Sequence, residues 1–166
     1  LEIIDNLTGK LLASKPLGEA SEIIIYGVDN LDDTLTVDFN GGLIEVPITF
    51  HGGDAGFDSL ILEGGRFSRA VYGASGPDSG WMALEDVAIN YFGLEPVVDG
   101  TVNDDRVFDI TTTGVDQNIR ILDAGSGQTT IQSDDVTPGF ESLTFLNPAN
   151  TLTINTGDGN DSIIVE

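Results

Sequence analysis

Asp58-Ser59-Leu60-Ile61-Leu62 carries the pattern on which the fold of this 166-residue chain turns. Asp33-Thr34-Leu35-Thr36-Val37 repeats it, and so does Asp161-Ser162-Ile163-Ile164-Val165. Each copy has an acidic residue, a small hydroxylated residue, and then apolar residues at alternate positions. Asp105-Arg106-Val107-Phe108 and Glu141-Ser142-Leu143-Thr144-Phe145 are looser copies. A period of two is the pattern of a half-buried strand, and the acidic residue before it marks a turn. Asp33 lies 25 residues before Asp58. A recurrence of roughly 20–25 residues falls in the range of solenoid coils.

Outward from these copies the same reading continues. Strands are predicted at residues 22–28, 34–39, 43–50, 59–62, 70–72, 81–84, 87–92, 106–112, 118–122, 129–132, 142–146, 152–155 and 162–165. Before them, residues 11–15 read as a strand, or residues 17–21 lead into one. Helical periodicity is nearly missing, and the 21 glycines fall between the apolar runs. The fold class expected is all-β, a right-handed parallel β-helix or β-solenoid, in which stacked coils line up Leu, Ile and Val into one core. An antiparallel β-sandwich is the alternative, since it too spaces strands by about 8–12 residues. The repeated acidic turn and the scarcity of tight Asn-Gly or Asp-Gly punctuation favour the solenoid. Asn40-Gly41-Gly42 and Asp99-Gly100 are the exceptions, read as local hairpins. Residues 1–166 form a single module, with 1–21 an N-terminal cap or connecting segment.

Composition narrows the function. There are 28 Asp and Glu against 6 Lys and Arg, a net charge of −22. That balance excludes nucleic acid as a partner, because neutralising phosphates takes clustered Lys and Arg. It also argues against an anionic membrane surface. A compact fold with this charge repels itself, and bound divalent cations are the simplest relief, with halophilic adaptation the competing explanation. The 40% hydrophobic content separates the chain from a disordered acidic tail. Cysteine is absent, so disulfides and Cys-containing metal sites are excluded. No apolar stretch approaches the ~20 residues of a membrane span.

Thr156-Gly157-Asp158-Gly159-Asn160-Asp161-Ser162-Ile163-Ile164 fits the calcium-binding nonapeptide G-G-x-G-x-D-x-U-x except at its first position. Glycines let the backbone turn with φ > 0, and calcium takes six to eight oxygen ligands at about 2.3–2.6 Å. Gly52-Gly53-Asp54-Ala55-Gly56-Phe57-Asp58 is a second copy with Ala55 as an extra residue. Gly27-Val28-Asp29-Asn30-Leu31-Asp32-Asp33 is a third that loses two glycines. The candidate Ca2+ ligands are therefore Asp158 and Asp161, Asp54 and Asp58, and Asp29 and Asp33. The plain alternative is a good turn whose aspartates accept hydrogen bonds from backbone N–H groups.

Other residues carry less. His51 is the only histidine and reads as a strand-end residue. The adjacent Asp104 and Asp105 are the kind of carboxylate pair that chance supplies in so acidic a chain. Trp81, Tyr72, Tyr91 and Phe92 read as core, or as a sugar-stacking surface.

A family resemblance rests on several strings. Ile23-Ile24-Ile25-Tyr26-Gly27 leading to Asp33-Thr34-Leu35-Thr36-Val37-Asp38 resembles a segment of very large secreted repeat proteins of environmental bacteria. Ile48-Thr49-Phe50-His51-Gly52-Gly53 before Asp58-Ser59-Leu60 does so too, as does Tyr91-Phe92-Gly93-Leu94-Glu95-Pro96-Val97. The closing Phe145-Leu146-Asn147-Pro148 and Gly157-Asp158-Gly159-Asn160-Asp161 follow in the same order. The resemblance covers the chain from about Ile23 onward. It implies a repeat module of giant extracellular surface proteins, found beside hemolysin-type (RTX-like) calcium-binding turns.

Together these readings predict a non-enzymatic structural or scaffold module of a secreted, cell-surface protein or filament, stabilised by calcium. Its expected partners are neighbouring copies or flanking repeat modules, stacked head to tail as a homo-oligomer. A carbohydrate-binding or adhesive module that takes glycans is the alternative. A polysaccharide-degrading β-helix enzyme is the second, although Lys10, Lys15, Arg66, Arg69, Arg106 and Arg120 form no cluster in the sequence.

Overall fold

The computed structural model of the protein describes residues 1–5, 7–110, 115–135 and 139–166. It is all-β, with mixed sheets that do not close. The strands in chain order are β1 (Glu2–Asp5), β2 (Lys10–Ser14), β3 (Ile23–Tyr26), β4 (Thr34–Asp38), β5 (Ile48–His51), β6 (Ser59–Glu63), β7 (Arg66–Ala74) and β8 (Gly80–Leu84). They continue as β9 (Val87–Phe92), β10 (Val97–Asp99), β11 (Val102–Asp109), β12 (Asn118–Gly125), β13 (Gln128–Ser133), β14 (Leu143–Leu146), β15 (Thr151–Asn155) and β16 (Ser162–Val165). A 3-10 turn at Leu17–Glu19 separates the β1–β2 hairpin from the rest.

Two seven-stranded sheets make the body. One runs β15-β11-β7-β8-β9-β5-β3 and the other β16-β12-β13-β14-β10-β6-β4. From β3 to β7 the chain crosses to the other sheet at every strand. The pairs β3–β5, β5–β9, β7–β11 and β11–β15 are parallel. So are β4–β6, β6–β10, β10–β14 and β12–β16. Antiparallel pairing enters where a meander stays in one sheet, at β7–β8–β9 and β12–β13–β14.

Register explains the core. Ile23, Ile48, Ile89, Met82, Tyr72, Phe108 and Ile154 sit side by side across all seven strands of the first sheet. Leu35, Leu60, Val97, Leu143, Ile131, Ile121 and Val165 do the same across the second. Alternate residues on each strand point outward, so these rows face inward together. They meet in one cluster, which includes Ile48, Tyr72, Leu60 and Leu143. β-Branched and aromatic side chains suit this arrangement, because each packs on its neighbours in the row as well as across the core.

Two expectations from the sequence are corrected here, and one strand is added. Asn40-Gly41 and Asp99-Gly100 make no hairpins, since β4 and β5, and β10 and β11, lie in different sheets. Among the described residues of the two large sheets, hairpin turns lie instead around Asp78, at Glu85 with φ 53°, and at Ser126 with φ 56°. Residues 43–46 are not strand, and Pro47, which has no N–H to donate, immediately precedes β5. Strand β10 has no predicted counterpart, because Asp99 occupies an inward position where the pattern demands an apolar residue. Of the strand predicted at 106–112, residues 111 and 112 lie outside the described residues.

Glycines let successive turns approach closely. A Cβ on Gly27 would lie 2.0 Å from the Gly52 carbonyl oxygen, and one on Gly52 would lie 2.2 Å from that of Gly93. Gly52→Ala should therefore destabilise the protein by about 3 kcal/mol or more, because the Gly93 backbone and the buried Asp58 side chain both have to shift. Gly41→Ala, where a Cβ meets nothing within 4 Å, should change stability little. Denaturant unfolding of the two variants measures the contrast.

Candidate functional site: acidic turns and an aromatic ladder

The acidic turns between the sheets are tied by carboxylate-to-amide hydrogen bonds. Val28 N–H donates to Asp33 Oδ2 at 2.7 Å, and Asp33 N–H donates to Asp58 Oδ1 at 2.7 Å. In the same pair of turns, Asp54 N–H donates to Asp29 Oδ1 and Phe57 N–H donates to Asp32 Oδ1. At the far end of the sheet, Gln117 N–H donates to Asp161 Oδ1 and Asn160 N–H donates to Asp116 Oδ1. Each bond except the one within the first turn links neighbouring strands' turns, and hydrogen bonds to an ionised acceptor are the strong ones.

The six candidate calcium ligands thus fall in two places. Asp29, Asp33, Asp54 and Asp58 come together in the stacked turns before β4 and β6. Asp158 and Asp161 lie in the turn before β16, at the opposite edge of that sheet. Asp29, Asp33, Asp58 and Asp161 act as amide acceptors, and Asp58 is buried at 2% exposure. Asp54 and Asp158 are exposed. Among the described residues, no group of three or more His, Asp or Glu side chains is arranged to hold a metal ion.

Beside these turns stands a feature the sequence reading missed. Tyr26, His51 and Phe92 are in register on β3, β5 and β9. Tyr26 and His51 stack with centroids 4.8 Å apart, and His51 and Phe92 stack at 4.9 Å. The spacing is the strand separation itself, so in-register parallel pairing is what builds the ladder. The three residues line a cleft of about 430 Å³ together with Asp29, Gly53, Asp54, Asp78 and Ser79. A signal was present: Tyr26-Gly27, His51-Gly52 and Phe92-Gly93 each place an aromatic ring directly before a turn glycine.

The proposed sugar-stacking quartet is otherwise dispersed. Tyr72 and Tyr91 are core residues whose hydroxyls hydrogen-bond to each other, and burial pushes both phenols up. Trp81 packs over Gly73, where a Cβ would meet its ring at 2.2 Å. Phe92 alone of the four joins the ladder.

Three of the six basic residues are held in ion pairs. Arg106 is 1% exposed and its guanidinium donates to Asp99 Oδ2 at 2.6 Å, with Phe145 beneath it at 4.7 Å. Asp99 also accepts from the Thr101 N–H and hydroxyl. Arg66 pairs with Asp104, and Arg120 with Asp134 and Glu166. Glu141 is a further buried carboxyl. Burial pushes its pKa up from 4.5, against the pull of the Ser142 hydroxyl and N–H.

No family model, no curated protein and no solved structure matches this chain.

Two outcomes follow from this geometry. Asp58→Ala should cost about 1–3 kcal/mol in chemical denaturation, since it strands the buried-side amide of Asp33. Glu141→Gln keeps an acceptor for Ser142 and removes the buried charge. A pKa raised on folding contributes stability that is fully present below the ordinary 4.5 and is lost as pH rises through the folded value. Asp135, lowered by the Asn118 side chain and amide, acts oppositely: its contribution is present above 3.8 and is lost as pH falls through its folded value. The melting midpoint of Glu141→Gln should therefore gain on the wild type as pH rises from 4.5 towards 7. A constant offset between the two curves would contradict this.

Proposed function

We propose that this chain is a structural module of an extracellular bacterial surface protein or filament, built as a right-handed parallel β-solenoid. The observation that carries this reading is the pair of inward rows, each running unbroken through seven strands with parallel pairing predominating between successive crossings. Such rows make stability depend on neighbours in a line, which is the mechanical logic of a stacked spacer. The location outside the cell is supported by the acidic, cysteine-free composition and by the resemblance to secreted repeat proteins. The non-catalytic reading is supported by the engagement of Arg66, Arg106 and Arg120 with carboxylates, which leaves few cations to face an acidic polysaccharide.

Calcium belongs to the same proposal. With a net charge of −22, carboxylates crowd the turns, and divalent cations at Asp29, Asp33, Asp54 and Asp58, and at Asp158 and Asp161, relieve the repulsion. Native-only binding raises the melting temperature with ligand concentration. The midpoint is expected to be higher in calcium chloride than in sodium chloride of equal ionic strength, and to fall with chelator. Equal midpoints, with no calcium uptake by calorimetry, would remove the ion from the proposal.

A second reading, a glycan-binding module, is favoured by the cleft beside the aromatic ladder. Its size suits a small ligand, and Asp29, Asp54 and Asp78 offer acceptors for hydroxyls. Binding in a glycan screen that disappears in Tyr26→Ala, whose ring is 72% exposed, would place this reading ahead of the spacer.

A further inference from the structure

Asn40-Gly41 is the one Asn-Gly pair in the chain, and it lies in the crossing from β4 to β5. The Gly42 N–H donates to the Phe39 carbonyl at 3.1 Å, which closes a four-residue turn with Asn40 and Gly41 in its middle. Both middle residues are exposed. A Cβ on Gly41 would meet nothing within 4 Å. Among the described residues, no hydrogen bond engages the Gly41 N–H or the Asn40 carboxamide. The Asn40 side chain rests on Gly64, where a Cβ would lie 2.5 Å from its Oδ1. Its backbone N–H donates to Asp38 Oδ1 at 2.8 Å.

We propose that Asn40 is a site of spontaneous deamidation, with the Gly41 amide nitrogen as the nucleophile. That nitrogen bonds to Asn40 Cγ and gives its proton to solvent base. The Cγ–Nδ2 bond breaks and ammonia leaves. The result is a five-membered succinimide. Water then opens the ring at one of its two carbonyl carbons. Attack at Cγ leaves aspartate. Attack at the main-chain carbonyl carbon leaves isoaspartate, whose backbone runs through Cβ and Cγ. Water has replaced ammonia, and no electrons have been transferred.

Each step has a structural reason. Glycine leaves the attacking nitrogen uncrowded, because it has no Cβ. A short Asn side chain in a turn lies close to the backbone that follows it. Closing the ring requires the turn to loosen, and a turn with exposed hydrogen bonds opens at little cost. The carboxamide has no partner to lose when it leaves Gly64.

Other pairs lack one of these conditions. Asp99-Gly100 sits in the core, where the Gly100 N–H donates to the Leu62 carbonyl at 2.8 Å. Both Asp99 oxygens are engaged there by Thr101 and Arg106. Asn103 is buried and donates to Thr101. Asn147 precedes Pro148, which has no N–H. Asp158-Gly159 is in an exposed turn, but a carboxylate releases no ammonia, so rearrangement there leaves the mass unchanged. Deamidation of Asn40 adds a negative charge directly after β4, close to Asp38 and to its register partner Glu63.

The test is intact-mass spectrometry with peptide mapping of the full chain, incubated in warm, mildly alkaline buffer. A gain of about 1 Da per chain is expected, mapped to Asn40 and divided between aspartate and isoaspartate. Incubation in urea gives the rate of the unfolded chain, and the native rate should lie within about tenfold of it. Gly41→Ala crowds the nitrogen and should slow the gain by about tenfold or more. Melting curves establish that this variant folds, and Gly41→Ser replaces it if it does not. A gain at Asn40 that is absent from the native chain, or slower than that tenfold limit, overturns the proposal. So does a gain mapped to other asparagines with Asn40 intact. A rate that neither Gly41 variant changes removes the Gly41 nitrogen from the reaction and overturns the mechanism.

Discussion

Close approach of successive turns is the constraint on which the rest of this structure depends. Gly27, Gly52 and Gly93 stand where a Cβ would collide with the next turn's backbone or carboxylate. Their absence of side chains lets the Asp33 and Asp58 carboxylates reach neighbouring amides. Those bonds lock the turns before β4 and β6 to each other, and the locked turns fix strand register. A slip of one residue would send every inward side chain to the solvent face. The apolar rows and the aromatic ladder are consequences of that locking, because both exist only in register.

The same constraint changes what the acidic residues do. In a loop open to water, an aspartate is simply solvated. Here Asp29, Asp32, Asp33, Asp58, Asp116 and Asp161 accept backbone N–H groups that the crossings between sheets would otherwise leave unpaired. The carboxylate is a fixed acceptor in place of a ladder carbonyl. Inside the core, Asp99 and Arg106 solve a related problem. β10 is three residues long and turns at once into β11, and Asp99 uses one oxygen to cap Thr101 and the other to hold Arg106. Removing either partner would leave a buried charge uncompensated, a far larger cost than the net worth of the pair.

Much of this was legible in the sequence, and the misses have physical causes. The copies at Asp33, Asp58 and Asp161 all precede strands of one sheet, because the acidic-small-apolar pattern encodes a turn contact specific to that side. The Asp105 copy lies within β11 of the other sheet and shares only the alternation. β10 escaped because a buried ion pair breaks the apolar pattern. β7 runs from Arg66 to Ala74, well beyond residues 70–72, because Arg66 and Arg69 carry no hydrophobic signal even though their backbone pairs with β11. The aromatic ladder was invisible to any local reading. Tyr26, His51 and Phe92 are separated by 25 and 41 residues (51 − 26 and 92 − 51), and the longer interval contains the β7–β8–β9 meander that the topology skips over.

That meander bears on the nature of the ladder. β8 and part of β7 intrude between successive parallel crossings, so a strictly periodic solenoid would have lost register there. It does not, because β9 returns parallel to β5 and sets Phe92 beside His51. The antiparallel pair β7–β8 adds two strands without reversing the direction of the sheet, since an even number of reversals restores it. The β12–β13–β14 meander does the same in the second sheet, so β16 emerges parallel to β4. Direction is thus conserved from one end of the body to the other despite the insertions. The edge strands β4 and β16 accordingly run in the same sense, and each follows an aspartate and begins with a small hydroxylated residue.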